Sequence, residues 1–352
     1  MDQLLTIKEI SDQTGLEESL IRFYESEYPD QLPEKILQGG TLFFVVEAVK
    51  ALRNIHTLHN RAAIAPAEEG VRYARVIAVT SGKGGVGKSN IALNLAIEFQ
   101  RQGKMCIVLD ADMGMANIHL LTGLPPGQGL AELAAGRKTI SEVLVAGPEG
   151  IGIIPGVGGV LAMADCSKQA RLRIAGAFAQ LEERADIILI DTAAGMGAGV
   201  RDFLQSADEL LFVLTPDITS LADAYGLLKA LHQEGLPERP IYCVVNMAQT
   251  VQQAADVARR FIACARQFIG RNVSGVGYLL KDATVSAALI RRTPYTVFNP
   301  RARVSRNTAH LATALLRQEQ PDIQTSSAFS RYLHLAQAGE RPLIKPKNRE
   351  AA

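Results

Sequence analysis

The chain of 352 residues carries 37 Lys and Arg against 36 Asp and Glu, and 47% of it is hydrophobic, which excludes a disordered or fibrous protein. No apolar run reaches the ~20 residues that span a bilayer, and the opening MDQLLTIKEI has no basic-then-apolar signal pattern, so a cytoplasmic location is expected. Cys106, Cys166, Cys243 and Cys264 are widely spaced, without a CxxC or a nearby histidine cluster, and read as buried thiols rather than metal ligands or disulfides.

The near-zero net charge is unevenly placed. Residues 1–62 hold six Lys and Arg against ten Asp and Glu, a balance of −4 that leaves +5 on the rest. The apolar spacing of this first segment predicts helices, with Thr6 and Glu9 forming a capping box and Gly15 making a turn. Residues 63–74 read as a linker, because Pro66, Gly70 and small residues break any period. From Arg75 to about residue 318 short apolar runs (RVIAVT, MCIVLDAD, GIGIIPG, DIILIDT, ELLFVLT, IYCVVNM) alternate with longer amphipathic ones. Strand-like runs without internal alternation are buried on both faces, which predicts an α/β domain with a doubly wound, mostly parallel sheet. Residues 319–352 form a tail in which Ala328, Phe329, Tyr332, Leu333 and Ala336 share one helical face.

In such sheets ligands bind beyond the carboxyl ends of the strands, where SGKGG, DADMG, DTAAG and NMA all fall. Gly82, Gly87, Lys88 and Ser89 satisfy G-x-x-x-x-G-K-[ST] after a strand and before a helix, the context of a phosphate-binding loop. The backbone amides of Gly82, Lys83, Gly84, Gly85, Val86, Gly87, Lys88, Ser89 and Asn90 would surround the phosphates of ATP or GTP. Lys88 would reach the β- and γ-oxygens, and the Ser89 hydroxyl would bind Mg²⁺.

Lys83 is an addition that an ordinary phosphate loop does not need. KGGVGKS resembles the deviant Walker A loop of the MinD/ParA family, which implies that Lys83 reaches nucleotide held by a partner subunit and that ATP drives homodimerisation. VLDADMGMANIHLLTG resembles that family's first switch. The likeness implies that Asp112 orients the attacking water beside the catalytic lysines, Asp110 supports the metal and Asn117 lies near the partner. DIILIDTAAGM resembles Walker B and the second switch, which places Asp191 at the metal and Gly195 at the switch. CVVNM puts Asn246 where the family contacts adenine, although Met247 replaces the usual Arg and YLLKD lacks the usual proline. The order of motifs over roughly residues 73–318 is similar to the flagellar number regulators of the FlhG/FleN type.

That resemblance implies an ATPase, slow and stimulated by a partner or membrane, that positions flagella or regulates their number. A signal-recognition-type, FlhF-like GTPase or a flagellar component is the implied partner. The tail's apolar face would either pack back on the domain or, as in relatives, attach peripherally to the inner face of the cell membrane. Residues 1–62 resemble a MerR-type winged helix-turn-helix, with Arg22, Phe23, Tyr24 and Glu25 at the end of the second helix. Their acidic balance favours docking through Phe23, Tyr24 and LFFVV, on a partner or on the chain's own ATPase domain, over DNA binding. A nucleotide-gated DNA-binding regulator or a ParA-type partitioning ATPase is the alternative.

Overall fold

A computed structural model describes residues 4–27, 32–33, 35–38, 41–49, 51–52, 73–112, 117–124, 129–156, 168–318, 327–329 and 331. Cys166 and the linker up to residue 72 lie outside them. In the first segment strand β1 (Leu4–Leu5) leads into helices α1 (Ile7–Thr14) and α2 (Glu18–Glu27), then strands β2 (Lys35–Gln38) and β3 (Thr41–Val45). The Glu9 carboxylate accepts the Thr6 N–H at 2.8 Å while the Thr6 hydroxyl accepts the Glu9 N–H at 3.3 Å. This reciprocal cap satisfies two donors that a helix start otherwise leaves unpaired. Gly15 closes α1 at φ 73°, a left-handed conformation suited to glycine.

Ile10, Ile21, Tyr24, Phe44 and Leu52 form this segment's own core. Tyr24 and Phe44 are therefore interior and not part of a docking face, because antiparallel pairing of β3 with β1 and β2 turns alternate residues of LFFVV inward. Among the described residues of this segment Ile36, Leu37 and Val46 are exposed large apolar side chains. The Phe23 side chain lies outside the description.

The second segment is an eight-stranded sheet in the order β11-β10-β9-β4-β8-β5-β7-β6. Its strands are β4 (Arg75–Thr80), β5 (Cys106–Ala111), β6 (Val145–Ala146), β7 (Gly152–Ile154), β8 (Ile187–Thr192), β9 (Glu209–Leu214), β10 (Ile241–Ala248) and β11 (Ser274–Leu280). All neighbours run parallel except the β6–β7 edge pair. Successive residues of β4 feed opposite cores: Val76 and Ala78 face one, Ile77 and Val79 the other. Continuous apolar runs are what a sheet needs when helices cover both faces. Strand order departs in both directions from β4, so the loop after β4 lies at the switch point where such sheets bind ligands.

Helix α3 (Lys88–Arg101) follows that loop. The short helices α4 (Ile118–Thr122), α5 (Gly129–Ala134) and α6 (Ile140–Val143) precede α7 (Lys168–Glu182), which comes before β8. Helices α8 (Ala198–Ser206), α9 (Ile218–Gln233) and α10 (Val251–Cys264) are the crossovers after β8, β9 and β10. Helices α11 (Ala283–Ile290), α12 (Tyr295–Phe298) and α13 (Arg303–Leu316) complete the segment. A buried pair joins the starts of β4 and β9. Arg75 Nε and Nη2 meet Glu209 at 2.7 and 2.6 Å, and Arg75 Nη1 donates to the Leu315 carbonyl at 2.9 Å.

Helix α7 receives both ends of the chain. Leu20 of α2 packs against the α/β core on this side. From the tail, Phe329 packs against Phe178 with ring centroids 4.8 Å apart and planes tilted by 52°. Glu182 accepts the Ala328 N–H at 2.8 Å and a hydrogen bond from Ser327. Arg331 pairs with Asp208 and donates to the Ser206 carbonyl at 3.0 Å. Ala328 and Phe329, from the predicted apolar helical face, are thus buried in the α/β core; Tyr332, Leu333 and Ala336 lie outside the described residues. Among the described residues no helix is long and apolar enough to cross a membrane.

Burial raises the pKa of Glu182 to about 8, against the lowering hydrogen bond of Ser327. The folded state then holds a proton that the unfolded chain has lost above its ordinary pKa of 4.5, so this group's contribution falls as pH rises from 4.5 to about 8. Glu182→Gln keeps an acceptor for Ala328 without the ionisation. Thermal melts of the full chain should coincide near pH 4.5 and separate in favour of the variant by on the order of a few kcal/mol at pH 8.

Candidate nucleotide-binding site

The glycine-rich loop is held from two sides. A Cβ on Gly82 would lie 2.1 Å from the Asp223 backbone carbon of α9, so the loop's first turn admits no side chain. Gly87 sits at φ 91°, and a Cβ there would lie 2.5 Å from Asn246 Nδ2. That amide donates to the Val86 carbonyl at 2.8 Å. Asn246, at the end of β10, therefore binds the loop itself in this conformation, and its Oδ1 accepts the Met247 N–H at 2.9 Å with Met247 at φ 58°. Gly84 and Gly85 have open space above their Cα atoms. Ser89 and Asn90 lie in the first turn of α3, whose free amides and dipole favour an anion at this end.

Lys88 is buried, with 8% exposure. Burial lowers its pKa, while the nearby Asp191 and Asp112 carboxylates act in the opposite direction. Asp110 and Asp191 end adjacent strands in direct register. Burial, and the mutual proximity of the two, push the Asp110 pKa well up; burial does the same for Asp191, opposed by Ser89 and Lys88. Asp110 accepts the Asp112 and Ile118 N–H groups, both at 3.2 Å. Neither carboxylate oxygen of the wholly buried Asp191 has a hydrogen-bond partner of normal geometry. Two crowded buried carboxylates, with both oxygens of Asp191 unsatisfied, fit a hard divalent cation, and Ser89 lies beside Asp191 to share it. Gly195, at φ 84°, donates its N–H to the Ser81 carbonyl at 3.2 Å and so tethers the segment after Asp191 to the loop. Asn117 precedes α4 without a side-chain cap. Residues 113–116, between Asp112 and Asn117, are outside the description.

Lys83 stands apart from the cradle. Its Nζ lies 3.1 Å from Asp217 and 2.8 Å from the Thr219 hydroxyl, at the start of α9. Asp217 also accepts hydrogen bonds from Thr215 and Thr219 and the Ser220 N–H, which with Lys83 hold its carboxyl far below the usual range. The two charged groups are roughly half exposed, at 43% and 47%. Sequence reading misses Asp217. Its position before ITS marks a helix N-cap, but the partner lies 134 residues away and only the parallel placing of β4 beside β9 brings them together. Lys83, Asp217, Met247, Gln249 and Gln253 line a cavity of about 270 Å³ on the outer side of the loop.

Two sequence families match the chain: residues 74–234 an AAA domain, and residues 5–63 the MerR helix-turn-helix regulatory proteins. Over 232 residues it is 35% identical to the antiactivator FleN of Pseudomonas aeruginosa, covering 66% of this chain and 82% of that one. It is 29% identical over 226 residues to the flagellum site-determining protein YlxH of Helicobacter pylori, covering 62% and 72%. The cell division ATPase MinD of Pyrococcus furiosus superposes with a TM-score of 0.58 at 22% identity, over 70% of this chain and all of that one, which establishes the likeness of fold. A glycine loop with two lysines at a parallel-sheet switch point, and extended identity to FleN, make this chain a member of the MinD/ParA family of P-loop ATPases, in its FlhG/FleN branch, with a MerR-like domain at its N-terminus.

Proposed function

We propose that the protein is a slow ATPase whose ATP-bound form is a homodimer and which sets the number or placement of flagella. The observation that carries this is the separation of the two loop lysines: Lys88 is buried among the carboxylates of its own site, whereas Lys83 points out of it, half exposed, onto Asp217 and Thr219. A cation held away from its own cradle by an exposed ion pair is free to be re-used at a second subunit. An exposed pair of this kind is worth only ~0.2–1 kcal/mol, so it can be exchanged readily. The flagellar role is supported by the names of the relatives, an antiactivator and a flagellum site-determining protein.

In this scheme the loop amides and the start of α3 bind the phosphates, and Lys88 neutralises charge at their outer oxygens. Ser89, Asp110 and Asp191 would hold Mg²⁺, which supplies charge neutralisation at the phosphates when bound. Asp112 orients the attacking water, and Asn246, Gly195 and Asn117 relay the site's state to the base side and the switches. DNA binding by the first domain is the alternative supported by the MerR match, but its excess of carboxylates repels duplex phosphate. The expected partner for that domain is a protein.

Dimerisation tests the proposal. With ATP and Mg²⁺, light scattering should find Lys83→Ala monomeric but nucleotide-bound. Asp112→Ala should persist as a dimer with turnover reduced by about 100-fold or more. A Lys83→Ala protein that dimerises as wild type does would refute the shared-nucleotide arrangement.

Releasing Lys83 should favour assembly. Asp217→Asn leaves the hydrogen-bond geometry near α9 largely in place but removes the competing charge. The concentration of protein at half-dimerisation should fall by about two- to thirtyfold, the factor set by two exposed ion pairs, one from each protomer. Sedimentation velocity across a protein dilution series reads it directly.

A further inference from the structure

At the end of the sheet away from the phosphate loop, a cavity of about 530 Å³ opens between the start of β10, the start of β11 and the end of α13. Asn246 lies five residues further along β10 than the cavity's Ile241, about 16 Å at ~3.3 Å per residue. Three arginines line it, Arg239, Arg271 and Arg317, against one carboxylate, Glu238. Arg271 is buried, with 6% exposure, and its Nη1 meets Glu238 at 2.5 Å. The Glu238 side chain is 89% exposed, so most of its charge is spent on solvent. Arg239 donates to the Gln205 carbonyl at 2.8 Å and to those of Leu204 and Ala207, while its buried Nε has no partner. The Arg317 guanidinium makes no hydrogen bond or ion pair among the described residues.

These cations oppose one another. Burial, and then the neighbouring Arg331 and Arg271, bring the pKa of Arg239 down to about 10, with Asp208 acting the other way. Arg331 is itself paired with Asp208, which leaves the cavity wall with a net positive charge. Guanidinium groups gathered in a concave, partly desolvated space are stabilised by a multivalent oxyanion, and their planar forks suit phosphate. Asn272 and Ser274 add polar groups at the rim, and Tyr242 adds an aromatic wall. The volume is in the range of small-ligand sites and too confined for a duplex.

We propose that this cavity is a second ligand site, which binds a small, free, multivalent phosphate compound of up to nucleotide size independently of the phosphate loop. Arg317 closes on the ligand from α13, while Arg271 and Arg239 provide the fixed positive floor. The site adjoins the Arg331–Asp208 pair that holds the tail, so occupancy bears directly on that contact.

The test uses the full chain carrying Lys88→Ala, which silences the phosphate loop, and inorganic pyrophosphate as the probe. Calorimetry at low salt should find one saturable site per chain. Adding Arg317→Glu, at an exposed position where reversal should leave the circular dichroism spectrum and melting unchanged, should weaken binding by about tenfold. Absence of saturable binding in the Lys88→Ala protein, or an affinity changed less than twofold by Arg317→Glu, would overturn the proposal; the second result would place the bound pyrophosphate outside this cavity.

Discussion

The structure is organised around a charge problem at the centre of its sheet. Lys88, Asp110 and Asp191 are all buried where three parallel strands end, and each would be expensive to ionise alone. The lysine and Asp191 are tolerable because they face one another: Asp191, with Asp112, supports the lysine's charge, and the lysine opposes the upward shift of Asp191. The balance is incomplete, since neither oxygen of Asp191 has a hydrogen-bond partner of normal geometry. A site that leaves buried carboxylate oxygens in this condition is prepared for a cation and a polyphosphate together, each offsetting the other's charge.

The rest of the α/β segment keeps those groups in place. Gly82 is pressed against the backbone of α9 and Gly87 against Asn246, so the loop is clamped between β9–α9 on one side and β10 on the other. The same α9 start carries Asp217, the resting partner of Lys83. The loop's position and the parking of its outward lysine therefore depend on one helix N-terminus. Movement of that terminus would alter both the cradle and the position of Lys83.

Helix α7 gives the two ends of the chain a common support. Leu20 from the first domain and Phe329 from the tail both pack onto the core on its side, and Glu182 holds the tail through a side chain buried with it. The acidic first domain is thereby in contact with the ATPase segment through α2, the helix that a DNA-binding member of its class would present to the major groove. Its exposed apolar residues belong instead to β2 and the end of β3.

Much of this architecture was legible in the residues themselves because it rests on local or periodic rules. The apolar runs announced strands buried on both faces, since only such strands lack alternation. The Thr6–Glu9 cap and the Gly15 turn are three- to nine-residue patterns, and the structure forms both. The phosphate loop was readable for the same reason: its glycines, Lys88 and Ser89 are contiguous. Tertiary structure alone decided what joins distant segments. Asp217 reaches Lys83, and the Asn246 amide the Val86 carbonyl, only because parallel strands bring their ends to one edge. The inward turn of Tyr24 and Phe44, the docking of Phe329 on Phe178 and the gathering of Arg239, Arg271 and Arg317 likewise follow from packing. Hydrophobic period and loop chemistry are written along the chain, whereas the partner of an exposed charge or a half-apolar face is chosen by which surfaces the folded sheet leaves side by side.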